Sequence, residues 1–160
     1  MNESEFYRRV NATTLMVNLD SPARMPVDGM EIDFSSGEGC VMIKIRQGEL
    51  YIDNRKVILF SPAWPKIIEG NELRKILAEK SVLHPNIMDA LYENQELIPD
   101  SWKERGRKIC FWGAVFRLFK SHFYVRCLYF DSHANTWRRA YRELCYELNS
   151  SYPAAVLDAA

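Results

Sequence analysis

Ten lysines and arginines lie between Lys103 and Arg142, against two acidic residues, in a chain whose totals of 21 and 21 cancel. The same block carries Trp112, Phe116, Phe123, Tyr124, Phe130, Trp137 and Tyr141. Cationic groups beside aromatic faces are the chemistry of single-stranded nucleic-acid grooves. Arginine and aromatic anchors are equally the chemistry of protein interfaces. The side chains that such a surface would use are Arg117, Lys120, Tyr124, Arg126, Arg138, Arg139, Tyr141 and Arg142. A sequence pI near 6.8 falls well short of the basic footprint of a nucleic-acid binder. A protein partner is therefore the preferred expectation and nucleic acid the alternative. The competing structural account makes the aromatics core and the arginines a solvated rim, and it carries the greater weight.

Other chemistries find little support. A metal centre needs three or four converging ligands, yet His84, His122 and His133 lie apart. The cysteines, Cys40, Cys110, Cys127 and Cys145, show no C-x-x-C spacing. There is no G-x-S-x-G elbow. Gly37 and Gly39 lead into neither a P-loop nor a dinucleotide fingerprint. No catalytic, cofactor-binding or metal-binding residue is assigned, no cofactor is expected, and the reading leans away from an enzyme. No apolar run approaches the roughly 20 residues of a membrane span, so no membrane association is expected. The first residues, MNESEFYRRV, have no apolar signal region. The expected setting is cytoplasmic, with free thiols acting as small apolar residues. The neighbours of Cys110, Cys127 and Cys145 suggest burial.

These side chains need elements to position them. At 160 residues the chain reads as one domain over 1–160. Residues 1–39 are poorly defined. Ser4–Val10 suggests a helical turn or two, Thr13–Asn18 a short β-like run and Phe34–Gly39 a loop. Residues 40–66 read as an antiparallel meander: Val41–Ile45, Glu49–Ile52 and Arg55–Phe60, ended by Pro62 and Pro65. Residues 70–104 read as a helical pair. The first follows Asn71 as its cap, with Leu73, Ile76 and Leu77 facing inward. The second starts at Pro85 with His84 as a cap and Ile87, Met88 and Leu91 inward. Asp100–Trp102 adds a helical turn. Trp64 and Trp102, near prolines, are expected to staple loops to the core.

Residues 108–148 read as an aromatic sheet. Lys108–Leu118 is a strand whose Gly113 suggests a bulge or a close backbone approach. Phe123–Phe130 is a second, with Tyr124, Arg126, Leu128 and Phe130 on one face and aromatics on both. Thr136–Leu148 fits a helix by spacing.

Five motifs then recur in order: Glu69–Lys75 (EGNELRK), Leu97–Lys103 (LIPDSWK), Phe111–Arg117 (FWGAVFR), Tyr124–Phe130 (YVRCLYF) and Tyr152–Val156 (YPAAV). Together they resemble a family of uncharacterised bacterial hypothetical proteins over roughly residues 57–157. The resemblance brings no function and no site residue. It implies a strand rather than a helix after the turn at Ser132–Asn135, and a third antiparallel strand is expected there. The expected fold is therefore α+β: an N-terminal antiparallel meander, two short central helices and a C-terminal three-stranded antiparallel sheet. The expected function is a small non-enzymatic binding module, for a protein partner of unknown identity, with single-stranded nucleic-acid binding as the alternative.

Overall fold

The structure, a computed structural model, describes residues 6–159. It is mostly β, which corrects the α+β expectation: twelve strands accompany two α-helices of eight residues each. The N-terminal strands are β1 (Tyr7–Asn11), β2 (Thr14–Asn18) and β3 (Glu31–Ser35). The meander follows as β4 (Cys40–Arg46), β5 (Glu49–Ile52) and β6 (Arg55–Phe60). The short β7 (Ile68–Glu69) leads into α1 (Gly70–Leu77), and α2 (Pro85–Tyr92) comes next. The long strands are β8 (Ile109–Leu118), β9 (His122–Asp131) and β10 (Thr136–Glu143). The chain ends with β11 (Glu147–Leu148) and β12 (Ala154–Leu157).

The C-terminal strands do not form a separate three-stranded sheet. They belong to a ten-stranded sheet in the order β1-β2-β4-β5-β6-β12-β8-β9-β10, with β3 paired to β8 off that path. The joint is β12, from the apolar tail Ala154–Leu157. It pairs antiparallel with β6 and parallel with β8. Both ends of the sheet touch one helix: α2 contacts β2 as well as β8, β9 and β10. The sheet therefore curls around α2, whose residues Pro85–Leu91 are all buried. Leu15, Ile43, Leu50, Phe111, Leu128 and Trp137 share one apolar cluster with the helix.

The opposite face of the sheet is covered by α1. Leu73 and Leu77 pack there with Trp112, Val125 and Leu144, while Ile76 stays exposed. The first amides of α1 are satisfied by backbone rather than by a side-chain cap: Gly70 N–H donates to the Tyr146 carbonyl and Asn71 N–H to that of Leu144. Glu69, not Asn71, is the capping residue.

The strand of the ambiguous segment is Thr136–Glu143, in full antiparallel register with β9. Its helical spacing was outweighed because Trp137 and Ala140 pack on opposite faces of the sheet. Four further expectations are corrected. Trp64 is 83 % exposed and staples nothing. Cys145 is exposed, whereas Cys110 and Cys127 are buried. Glu31–Ser35 is a strand that runs into the expected loop at Phe34. Tyr7–Asn11 is strand rather than helical turn, and Ser4 and Glu5 lie outside the described residues.

Gly113 explains how one edge of β8 serves three partners. β12 meets it at Cys110, Gly113 N–H donates to the Leu83 carbonyl, and β3 takes over from Ala114. The register with β9 shifts between Phe111 and Phe116, so the bulge and the close approach are both present. A Cβ at 113 would lie 2.5 Å from the Cα of His84. Overpacking against backbone typically costs about 1–3 kcal/mol. Gly113→Ala should therefore lower unfolding free energy by about 3 kcal/mol in denaturant titrations; a change within experimental error would refute the close approach.

Candidate functional site

The sequence candidates divide over the fold. Along β10, Arg139 and Tyr141 share a face with Trp137, and across the register they meet Leu128 and Arg126 of β9. Tyr124, Arg126, Arg139 and Tyr141 thus come together on the α2 side. Arg138 and Arg142 alternate to the other face. Arg117 lies near the end of β8, opposite Phe123, and Lys120 in the β8–β9 turn.

The centre of the first group is Asp89 on α2, which is wholly buried. Arg126 clasps it with two hydrogen bonds: Nη1 donates to Oδ2 at 2.7 Å and Nη2 to Oδ1 at 2.9 Å. Arg139 Nη1 donates to Oδ1 at 2.8 Å. Arg126 also donates to the carbonyl of Arg24, and the Arg139 guanidinium lies 4.0 Å from the centroid of the Tyr92 ring. Two cations thus share one carboxylate. Removing one partner of such a buried pair costs about 3–5 kcal/mol, because a charge is left without solvent or counter-ion.

The outer side of this cluster opens to solvent. Met25, Pro26, Arg126, Arg139, Ala140 and Tyr141 line a recess of about 320 Å³. Tyr141 is 46 % exposed and meets Tyr124 edge to face at 5.7 Å. Sequence reasoning found four of these residues but not Asp89. A lone acidic residue in the apolar stretch Ile87–Leu91 was the available signal, since an aspartate there must be paired.

The remaining candidates are engaged elsewhere. Arg117 pairs with Glu31 at 3.0 Å and lies 3.7 Å from Asp33. Arg138 pairs with Asp131 at 2.7 Å, which lowers the Asp131 pKa and raises that of the arginine. Arg142 lies over the rings of Tyr146 and Tyr152 and donates to the Glu147 carbonyl. Lys120 is exposed in its turn.

A second titratable cluster sits at the far end of β9 and β10. Glu143 accepts from the Cys145 thiol at 3.0 Å and from Tyr124 at 3.3 Å, and lies 2.8 Å from His122 Nδ1. Its hydrogen bonds, that from Cys145 foremost and then that of His122, lower its pKa. The same contact with Glu143 raises the Cys145 pKa. A nucleophilic thiol needs the opposite shift, so this cluster does not activate Cys145. Cys110 and Cys127 face each other across β8 and β9 with sulfurs 3.2 Å apart. Their mutual hydrogen bond and burial raise the Cys110 pKa, which keeps that thiol protonated. Among the described residues no three His, Cys, Asp or Glu side chains are placed to hold a metal ion, and no helix is long and apolar enough to cross a membrane.

Comparison with protein-family models, with curated proteins and with solved structures returns no match.

The helix that carries Asp89 has its own titrating anchor. His84 Nδ1 accepts the backbone N–H of Asn86 at 3.0 Å, which places the proton of the neutral ring on Nε2. Burial lowers the His84 pKa from 6.5 to about 4, against a smaller opposing pull from Asp89. The unfolded chain protonates this ring near 6.5 while the folded chain resists until about 4. Its contribution is thus intact above about pH 6.5 and shrinks as pH falls toward 4, by up to about 3 kcal/mol. Denaturant titrations between pH 7 and 4 should show this loss in the native chain. It should be smaller in His84→Asn, which keeps a capping acceptor but cannot titrate. Parallel pH curves for the two proteins would contradict the assignment.

Proposed function

We propose that the protein is a small non-enzymatic binding module whose partner is an acidic segment of another protein. The observation that carries the reading is the recess over Arg126 and Arg139. Two guanidiniums share the single carboxylate of Asp89, so the floor retains positive charge. Its walls are the Met25, Pro26 and Tyr141 side chains. Methionine, tyrosine and arginine are the residue types enriched at interface cores and hot spots. A carboxylate of the partner is drawn to the floor, and an apolar neighbour packs on Tyr141. The module works in a reducing, cytoplasmic setting, where Cys110 and Cys127 persist as two thiols.

The nucleic-acid alternative draws less support. A strand of phosphates needs a continuous cationic track with stacking faces. Here Arg138 and Arg142 lie on the face away from Tyr141, and Arg117 and Arg138 each hold a carboxylate of their own.

Selection from a random displayed-peptide library should enrich peptides that combine Asp or Glu with an aromatic or long aliphatic residue. Their binding should weaken about tenfold or more in Arg139→Gln and in Tyr141→Ser, corresponding to about 1.4 kcal/mol. Tyr141→Ser probes the same recess without touching the buried ion pair. Enriched peptides lacking acidic residues, binding indifferent to both substitutions, or no enrichment would overturn the proposal. A salt-sensitive mobility shift of a labelled oligothymidine, present at low salt, would favour the nucleic-acid reading instead.

A further inference from the structure

β10 is the last strand of its sheet, and its outer edge is only partly taken. In an antiparallel pair, successive residues direct their main-chain groups alternately toward and away from the partner strand. The phase along β10 is fixed at both ends. Trp137 N–H donates to Gln95 Oε1 and so points outward. Leu144, just past the strand, donates its N–H to the Phe123 carbonyl of β9 and so points inward. The inner strands agree. Cys110 N–H turns away from β9 to the Pro153 carbonyl, which leaves the opposed Cys127 to bond with Ala140. Arg139 and Tyr141 therefore direct their N–H and C=O groups outward. Among the described residues, no strand or loop bonds those four groups. The open stretch has two stops: Gln95 occupies Trp137, and Tyr146 N–H occupies the Glu143 carbonyl at 3.3 Å.

We propose that an acidic segment of the partner protein binds here as an added strand, antiparallel to β10. The inference rests on the acidic-partner reading above and adds how the segment is held. The edge borders the cationic recess. Ala140 lines that recess, yet its side chain packs on the opposite face, so the recess reaches the main chain of β10. In strand addition, main-chain bonds supply affinity and the alternating side chains supply specificity. Residues abreast in an antiparallel pair point to the same face. The residue abreast of Tyr141 thus packs apolar atoms on that half-exposed ring. The residue two further on lies abreast of Arg139 and presents a carboxylate to it. The residue between them turns to the face of Arg138 and Arg142. Arg142 holds only carbonyl and ring partners among the described residues, so an acidic side chain is favoured there as well. Charge also disfavours a second copy of β10 as the occupant. Paired about Ala140, two such strands would set Arg138 opposite Arg142, and like charges directly opposite are destabilising.

The test uses the full chain and the capped peptide acetyl-Glu-Phe-Asp-Glu-Asp-amide. Its phenylalanine and second glutamate are spaced to lie abreast of Tyr141 and Arg139. Amide exchange is followed residue by residue by NMR. In the free protein the amides of Arg139 and Tyr141 should exchange rapidly, while those of Arg138, Ala140 and Arg142 are held by β9. At about nine-tenths saturation the first two should slow about tenfold, because exchange then runs through the unbound fraction. The other three should not change. Methylating the peptide nitrogen of the phenylalanine or of the second glutamate should weaken binding about tenfold. Methylating that of the aspartate between them should leave affinity within about twofold. Binding that leaves Arg139 and Tyr141 exchanging as before, or that responds equally to methylation at all three nitrogens, overturns strand addition while the acidic-partner reading stands. No saturable binding overturns both. Protection of the two amides in the free protein, growing with its concentration, assigns the edge to a second copy and overturns the proposal.

Discussion

The carboxylate of Asp89 is buried away from solvent, and the rest of the molecule is arranged around that fact. Burying a lone carboxylate is prohibitive, whereas one held by fitted hydrogen bonds is tolerated. Arg126 comes from β9 and Arg139 from β10, so neighbouring strands reach the helix through one side chain. Apolar contacts are non-directional and let a helix turn or slide. A bidentate guanidinium–carboxylate fork does not. The pair therefore sets the rotation and depth at which Ile87, Met88 and Leu91 enter the core.

The same helix closes the curl. Just past its end, Asn94 and Glu96 receive Arg9 of β1, at 2.7 and 2.6 Å. Gln95 Oε1 accepts the backbone N–H of Trp137 and the hydroxyl of Thr136, both in β10. One short segment thus contacts both outermost strands of the sheet and, through Gln95, occupies a backbone pairing group on the β10 edge at Trp137. Between them, β12 and the Leu83 carbonyl fill the edge of β8. The curl leaves a cationic recess where the arginines come to the surface.

Strong local patterns were legible in the sequence. The meander was readable from the alternation in Val41–Ile45 and the tight turns at Gly48 and Asn54. The start of α2 was readable from His84 and Pro85, and Gly113 announced a special backbone position. Three elements hid the fold class. Ala154–Leu157 is too short and too small in its side chains to look like a central strand, yet it joins the two strand sets. In β3 all five residues are exposed, so no burial period marks it; its backbone pairing with β8 holds it. In β10 a stripe of helical spacing competed with alternation, and cross-strand packing decided the outcome. The candidate site was half legible. Its arginines and tyrosines stood out by type, but Asp89, the common partner of Arg126 and Arg139, lies 37 and 50 positions away from them in sequence. No local signal connects residues so far apart.

Native-state hydrogen exchange tests the central role of the Asp89 pair most directly. If α2 is locked to the sheet through that pair, the amides of Ala90 and Leu91 open only with those of Val125 and Cys127. The two groups then share one opening free energy, close to that of global unfolding. Helix amides that exchange through a separate, lower-energy opening while β9 stays protected would contradict it.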